Sequence, residues 1–143
     1  MGSACDKAAQ LRGEIEASAD EVERLRRLPV RLAARLISNG VFRQLVPVSF
    51  GGLGIELPDF VRSLQSYAQA DASTAWCISQ GAVIATTSMW LPEPSARTIW
   101  SDPESVVANG PPRDCEAVPD GDDYRVTGHW GFSSGSAHAN WMH

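Results

Sequence analysis

The chain has 143 residues, 43 % hydrophobic and 20 % charged, a composition that fits one globular domain, or one and a fraction, and excludes a disordered chain. Twelve basic against seventeen acidic residues leave a formal charge of −5, which argues against a nucleic-acid partner, since such partners want a clustered basic surface. The one dense basic run, Arg24, Arg26, Arg27, Arg31 and Arg35, is interleaved with Glu21 and Glu23 and reads as a solvated helix face.

Cys5, Cys77 and Cys115 are odd in number and far apart, with no CxxC and no zinc spacing to a histidine. They read as reduced thiols of a cytoplasmic protein without a metal site. The amino terminus lacks an apolar signal core, which argues against secretion, and Asp6 breaks the myristoylation pattern that Met1-Gly2 begins.

In chain order, a first helix is expected over roughly Ala4 to Leu28. Val22, Leu25, Leu28, Leu32 and Leu36 then recur at three and four, an amphipathic stripe. Pro29 should restart the helix, because proline suits a first turn and breaks an interior. Asn39-Gly40 is a left-handed stop. Residues 41–55 are irregular, punctuated by Pro47, Gly51, Gly52 and Gly54. Leu57, Phe60, Val61, Leu64 and Tyr67 follow the helical period behind Pro58. Asp71 or Ser73 can cap the next helix.

Residues 72–91 carry no charge, long enough to span a bilayer. Seven hydroxyl and amide side chains, from Ser73 to Ser88, argue instead for a helix buried in a protein core. It is predicted to run to about Trp90, to be the most buried element, and to hold Trp76 and Ile84 inside the packing. Pro92 and Pro94 end it, and a short helix near Ser95 to Trp100 follows. After Asp102-Pro103 the composition turns to strands: Ser105–Gly110, Cys115–Val118, Asp123–Gly128 and, past a glycine bend, His129–Phe132. The fold class is therefore α+β: an all-α domain over residues 1–104, then the first antiparallel strands of an incomplete β domain over residues 105–143. So few strands beside Trp130, Phe132, Trp141 and Met142 leave an apolar edge, which implies an N-terminal piece of a longer protein.

The densest site-like stretch is Trp130-Gly131-Phe132-Ser133-Ser134-Gly135-Ser136-Ala137-His138. Its aromatics can cover a planar ring while its hydroxyls and backbone amides bond the ring's heteroatoms. Composition alone leaves open a buried aromatic strand leading into a Ser/Gly turn. Ser133, Ser134 and His138 lack the orienting acid that a nucleophilic triad needs. Gly51-Gly52-Leu53-Gly54 has neither the spacing nor the preceding strand of a dinucleotide loop. His129, Asp122 and Asp123 read as surface or turn residues.

Arg27-Leu28-Pro29, Leu36-Ile37-Ser38-Asn39-Gly40-Val41-Phe42-Arg43, Val46-Pro47-Val48-Ser49-Phe50-Gly51-Gly52, Ala70-Asp71-Ala72-Ser73-Thr74-Ala75-Trp76, Gly121 to Gly128, and Trp130 to Gly135 with His138, Ala139 and Trp141 stand in order over about 120 residues. In these blocks the chain resembles the acyl-CoA dehydrogenase superfamily. It looks most like the reduced-flavin monooxygenases that serve as oxygenase partners of two-component aromatic and polyketide hydroxylases. The resemblance implies an N-terminal helical domain, a middle β-barrel and a C-terminal four-helix bundle, with flavin (FAD or reduced FMN) between barrel and bundle. It implies that Phe132 falls where the dehydrogenases place a Trp against the flavin ring. It also implies that Ser134, the catalytic candidate, falls where they place a Thr near the reactive flavin nitrogen. In the monooxygenases a Ser here is implicated in handling the oxygen-loaded flavin. Val107 to Gly110 match the first flavin-contacting strand, so Asn109, Gly110, Phe132, Ser133 and Ser134 are the candidate cofactor-binding residues. A small-molecule substrate, a flavin reductase partner, no membrane, and a homotetrameric full-length protein are implied as well. One departure stands out: many members of this branch carry a His in the helix after the Ser-Thr-x-Trp block, whereas residues 77–91 hold none and Ile84 stands near its place. The alternatives are an acyl-CoA dehydrogenase acting at the α,β carbons, whose catalytic Glu would lie beyond His143, and a non-catalytic helical interaction module.

Overall fold

The computed structural model describes residues 4–142; the Met1-Gly2 start lies outside the described residues. Helix α1 (Ala4–Leu25) turns Ala8, Leu11, Ile15 and Val22 inward at helical spacing. It stops three residues before the sequence pattern does, because Arg26 adopts a left-handed conformation (φ 53°). Leu28 is still buried, which is why the apolar period runs past the helix end. Pro29 stands just before α2 (Val30–Ser38) and its carbonyl accepts from Ala33 N–H at 2.9 Å. Gly40 supplies the left-handed stop (φ 68°), where a side chain would be strained.

Residues 41–55 form two short 3-10 turns, Val41–Arg43 and Val48–Phe50, gathered around Arg43. The Arg43 side chain is buried and donates to the carbonyls of Phe50 and Trp100, both at 2.7 Å, and to that of Asp102. Burial pulls its pKa down, and Asp102 opposes that shift. A Cβ at Gly52 would lie 2.0 Å from the Val46 carbonyl oxygen, so this turn closes only around glycine.

Helix α3 (Leu57–Ala70), with Pro58 in its first turn, buries Phe60, Ser63 and Tyr67. Asp71 then caps α4 (Ala72–Ile84): its carboxylate accepts from Thr74 N–H at 2.6 Å. The α helix does not continue to Trp90. It tightens into a 3-10 segment over Ala85–Met89, and α5 (Glu93–Trp100) follows Pro92.

Helix α4 corrects the expectation of a fully covered central helix. Ala75, Ile78, Gly81 and Ala82 are buried against α1, α3 and Phe42, but Trp76 is 58 % exposed, and Val83, Met89 and Trp90 are exposed with it; Ile84 is half-buried. The absence of charge on every face reported the character of the surface and not its cover: one face looks out from this chain. Among the described residues no helix is long and apolar enough to cross a membrane.

Strands follow the helices. β1 (Val107–Ala108) pairs with β4 (Trp141–Met142) in parallel, Val107 opposite Trp141, and β2 (Pro112–Asp120) pairs with β3 (Asp123–Trp130) antiparallel. The expectation of antiparallel pairing throughout thus fails at β1–β4, because residues 131–140 turn the chain once more before it returns beside β1. No bend separates His129 from Gly128 either. β3 runs through both, and Gly128 instead faces a bulge between Arg113 and Glu116, where Asp114 has φ 48° and a Gly128 Cβ would stand 2.2 Å from Cys115 Sγ.

Removing the α4 cap should show in stability. Asp71→Ala is expected to cost about 1 kcal/mol by chemical denaturation. Ser73→Ala, which removes the other residue that the sequence offers as a cap, should leave the midpoint unchanged.

Candidate functional site

The site is organised by the segment that leaves the helices. Val106, Val107 and Ala108 are buried. Val106 packs in the cluster that holds Leu36, Phe42 and Ile78, and Val107 in the one that holds Val46, Ala85 and Trp100. The other side of the segment is held by residues from the end of the chain. Val106 N–H donates to Asn140 Oδ1 at 2.9 Å, and the Val106 carbonyl accepts from the amides of Asn140 and Trp141 at 3.1 and 3.2 Å. Both backbone polar groups of buried Val106 are thereby satisfied, as burial demands.

Past β1 the chain passes through Asn109 and Gly110, both half-buried. A Cβ at Gly110 would stand 2.1 Å from Ser133 Oγ and 2.7 Å from the Gly131 carbonyl oxygen. Only glycine lets the two segments approach this closely. The sequence-derived cofactor residues Gly110, Ser133 and Ser134, remote in sequence, are thus assembled at one corner.

That corner is a tight turn with its own bonds. Ser134 N–H donates to the Phe132 carbonyl at 2.8 Å, Ser136 N–H to Ser133 at 3.0 Å, and the amides of His138 and Ala139 to Gly135, both at 3.1 Å. Ser133 Oγ donates to the Trp130 carbonyl at 3.2 Å. Phe132 takes a left-handed φ of 51° and leaves its ring 84 % exposed, with the Arg113 guanidinium 5.8 Å from the ring centre. Left-handed backbone at a bulky residue costs about 1–2 kcal/mol, and the exposed ring returns no burial, so the strain marks this as a site candidate. Ser134 is half-buried, and its Oγ accepts from Trp76 Nε1 at 3.0 Å.

His138 anchors the turn from below. Its ring lies 5.0 Å from that of Phe42, centre to centre, and its Nε2 is buried without a partner. Burial pulls its pKa below the usual histidine value. The ring is committed to the core, which leaves Ser133 and Ser134 without a histidine base. His129 is exposed on β3. Among the described residues no group of three or more metal-ligating side chains converges.

Trp76 is the site residue that sequence reasoning placed elsewhere. Its signal was a stripe: Trp76 and Val83, seven residues apart, share the exposed face of α4. A helix apolar all round hides such a stripe from periodicity.

No family model matches the chain. It is 32 % identical over 131 residues to the oxygenase component of an FADH(2)-dependent resorcinol hydroxylase from Rhizobium sp. (strain MTP-10005), which covers 87 % of this chain and 31 % of the relative. It is 30 % identical to the oxygenase component of p-hydroxyphenylacetate 3-hydroxylase from Acinetobacter baumannii, over 97 % of this chain and 33 % of the relative. The crystal structure of the HsaA monooxygenase from M. tuberculosis superposes with a TM-score of 0.86 at 28 % identity, over 98 % of this chain and 38 % of that one. The chain therefore spans about a third of the length of the curated relatives it matches. It is a homologue of the oxygenase components of two-component, reduced-flavin-dependent monooxygenases, and it carries the N-terminal portion of the acyl-CoA dehydrogenase-like fold.

Two outcomes test this geometry. Gly110→Ala should push the Ser133 corner away and lower the unfolding midpoint, because a backbone carbonyl and not only a flexible side chain stands in the way; an unchanged midpoint would show that the corner yields freely. His138 binds its proton less readily when folded than when unfolded. Stability should therefore be full above the ordinary histidine pKa of about 6.5 and fall as pH drops below it, since the unfolded chain then takes up the extra proton. His138→Phe should remove that part of the pH slope in denaturation profiles.

Proposed function

We propose that the chain is part of a reduced-flavin monooxygenase that oxygenates an aromatic or polyketide small molecule and receives its flavin, FAD or FMN, from a partner reductase. The observation that carries this reading is the corner itself: Gly110, Ser133 and Ser134 converge beside an exposed, strained Phe132, and Trp76 faces them from α4. The relatives are hydroxylases and monooxygenases, which favours this chemistry over acyl-CoA dehydrogenation. We further propose that residues 105–143 open a β-barrel domain against the helical residues 1–104, that the full-length protein is a cytoplasmic homotetramer, and that the remainder of the relatives' length supplies the opposite wall.

The residues fit a flavin. A flat aromatic system needs an apolar face and a few placed polar groups. Phe132 offers a ring with nothing of this chain packed over most of it, Ser134 offers a hydroxyl, and the Asn109-Gly110 backbone lies against Ser133 at the same corner. Bound flavin supplies the activation of molecular oxygen. In this reading Phe132 holds the ring plane, Asn109, Gly110 and Ser133 border it, and Ser134, the catalytic residue, donates a hydrogen bond where negative charge develops. Residues 72–91 hold no histidine, so in this reading proton handling falls to groups outside α4.

In the full-length protein, Ser134→Ala should leave folding within about 0.5 kcal/mol of the parent and lower product formed per oxygen consumed by roughly tenfold or more. Phe132→Ala should also fold, since its ring is exposed, and should weaken flavin binding in a fluorescence-quenching titration. Flavin oxidation and product formation followed in parallel decide it. Unchanged coupling in Ser134→Ala and unchanged affinity in Phe132→Ala would make the corner a structural turn.

A further inference from the structure

We propose that Trp76 is a positioning residue: its indole N–H fixes the Ser134 hydroxyl so that the hydroxyl proton points at the flavin side of the corner. This rests on the reading of Ser134 as a flavin contact. A serine hydroxyl has one proton to donate and two lone pairs to accept with, whereas an indole nitrogen can only donate. The 3.0 Å contact between Trp76 Nε1 and Ser134 Oγ therefore has a single polarity. It occupies a lone pair and leaves the Ser134 proton for another partner.

The surrounding turn takes no bond from that proton: the carbonyls of Phe132, Trp130, Ser133 and Gly135 accept from Ser134 N–H, Ser133 Oγ, Ser136 N–H and the amides of His138 and Ala139. Among the described residues the Ser134 hydroxyl donates to no protein atom. A hydroxyl that accepts a hydrogen bond is also polarised into a better donor. Trp76 would thus both aim the group and strengthen it.

The position of Trp76 supports a role beyond packing. It is 58 % exposed, and it hands its N–H to a residue 58 positions later. Indole nitrogens bond readily to water at an exposed site, so this contact is not forced by burial. It also spans the helices and the corner, which makes it sensitive to how β1 seats the corner over α4.

The test is a double-substitution cycle in the full-length protein with flavin bound, Trp76→Phe and Ser134→Ala alone and together. Trp76→Phe keeps an aromatic ring and removes the N–H donor together with part of the ring's bulk, so the Ser134→Ala background separates the two effects. Trp76→Phe should lower the ratio of product to hydrogen peroxide by about twofold to tenfold, the size of one neutral hydrogen bond, and shift the absorption band of bound flavin in the same direction as Ser134→Ala. In the Ser134→Ala background it should change nothing further, and the melting temperature should stay put throughout. A second readout uses the flavin-free protein. There the Trp76 indole N–H resonance, assigned by its loss in Trp76→Phe, should move upfield when Ser134 is replaced by Ala. If Ser134→Ala alters coupling but Trp76→Phe does not, the positioning role is wrong while the flavin reading stands. If Trp76→Phe costs the same factor in both backgrounds, Trp76 acts by its own contact and the proposal is overturned. If Ser134→Ala is silent, both fall. An indole resonance that ignores Ser134→Ala would also overturn the proposal.

Discussion

The buried segment Val106–Ala108, which carries β1, is the constraint on which the rest depends. It is apolar on both sides, so it must be covered twice: by α4 and the Trp100 cluster on one flank, and by Asn140 to Met142 on the other. Its carbonyls and amides cannot be left bare, and Asn140 with Trp141 meets those of Val106. With residues 140–142 held there, the loop between β3 and β4 lies against α4 and Phe42. The meeting of Trp76 with Ser134 and the crossing of Gly110 against Ser133 both follow from that placement. Arg43 does the same work on the helical side, where three backbone carbonyls from two distant segments close around one guanidinium.

What remains uncovered is as informative as what is packed. The β2–β3 hairpin shows Val118, Tyr124 and Val126 to solvent, and a lone hairpin is marginal in water. Trp90 is 83 % exposed, beside Met89 and not far along the chain from Val83. These surfaces, with Phe132, form apolar area that isolated monomers rarely display. They fit a chain that matches a third of the length of its relatives.

Much of the helical architecture was legible from local chemistry. Pro29, Gly40, Pro58 and Asp71 each act at their own position through a fixed φ, a left-handed turn or a cap, and each stands where the pattern put it, whereas Pro92, expected to end the long helix, opens α5 instead. The resemblance supplied Phe132, Ser134 and the Val107–Gly110 segment as candidates. The missing parts were long-range. Two-residue strands carry no period, so the parallel β1–β4 pairing left no trace. Gly110 looked like any turn glycine, because its constraint comes from Ser133. Trp76 was assigned to the core because α4 is apolar on every face, and a uniform surface does not say which side is covered.

We propose the Gly110–Ser134 corner as one wall of a flavin site. A structure of the full-length protein with reduced flavin bound tests it most directly. The ring should lie against Phe132, with Ser134 Oγ within hydrogen-bonding distance of a flavin heteroatom and Trp76 Nε1 still donating to Ser134. A ring bound elsewhere, with Ser134 facing only protein or solvent, would contradict it.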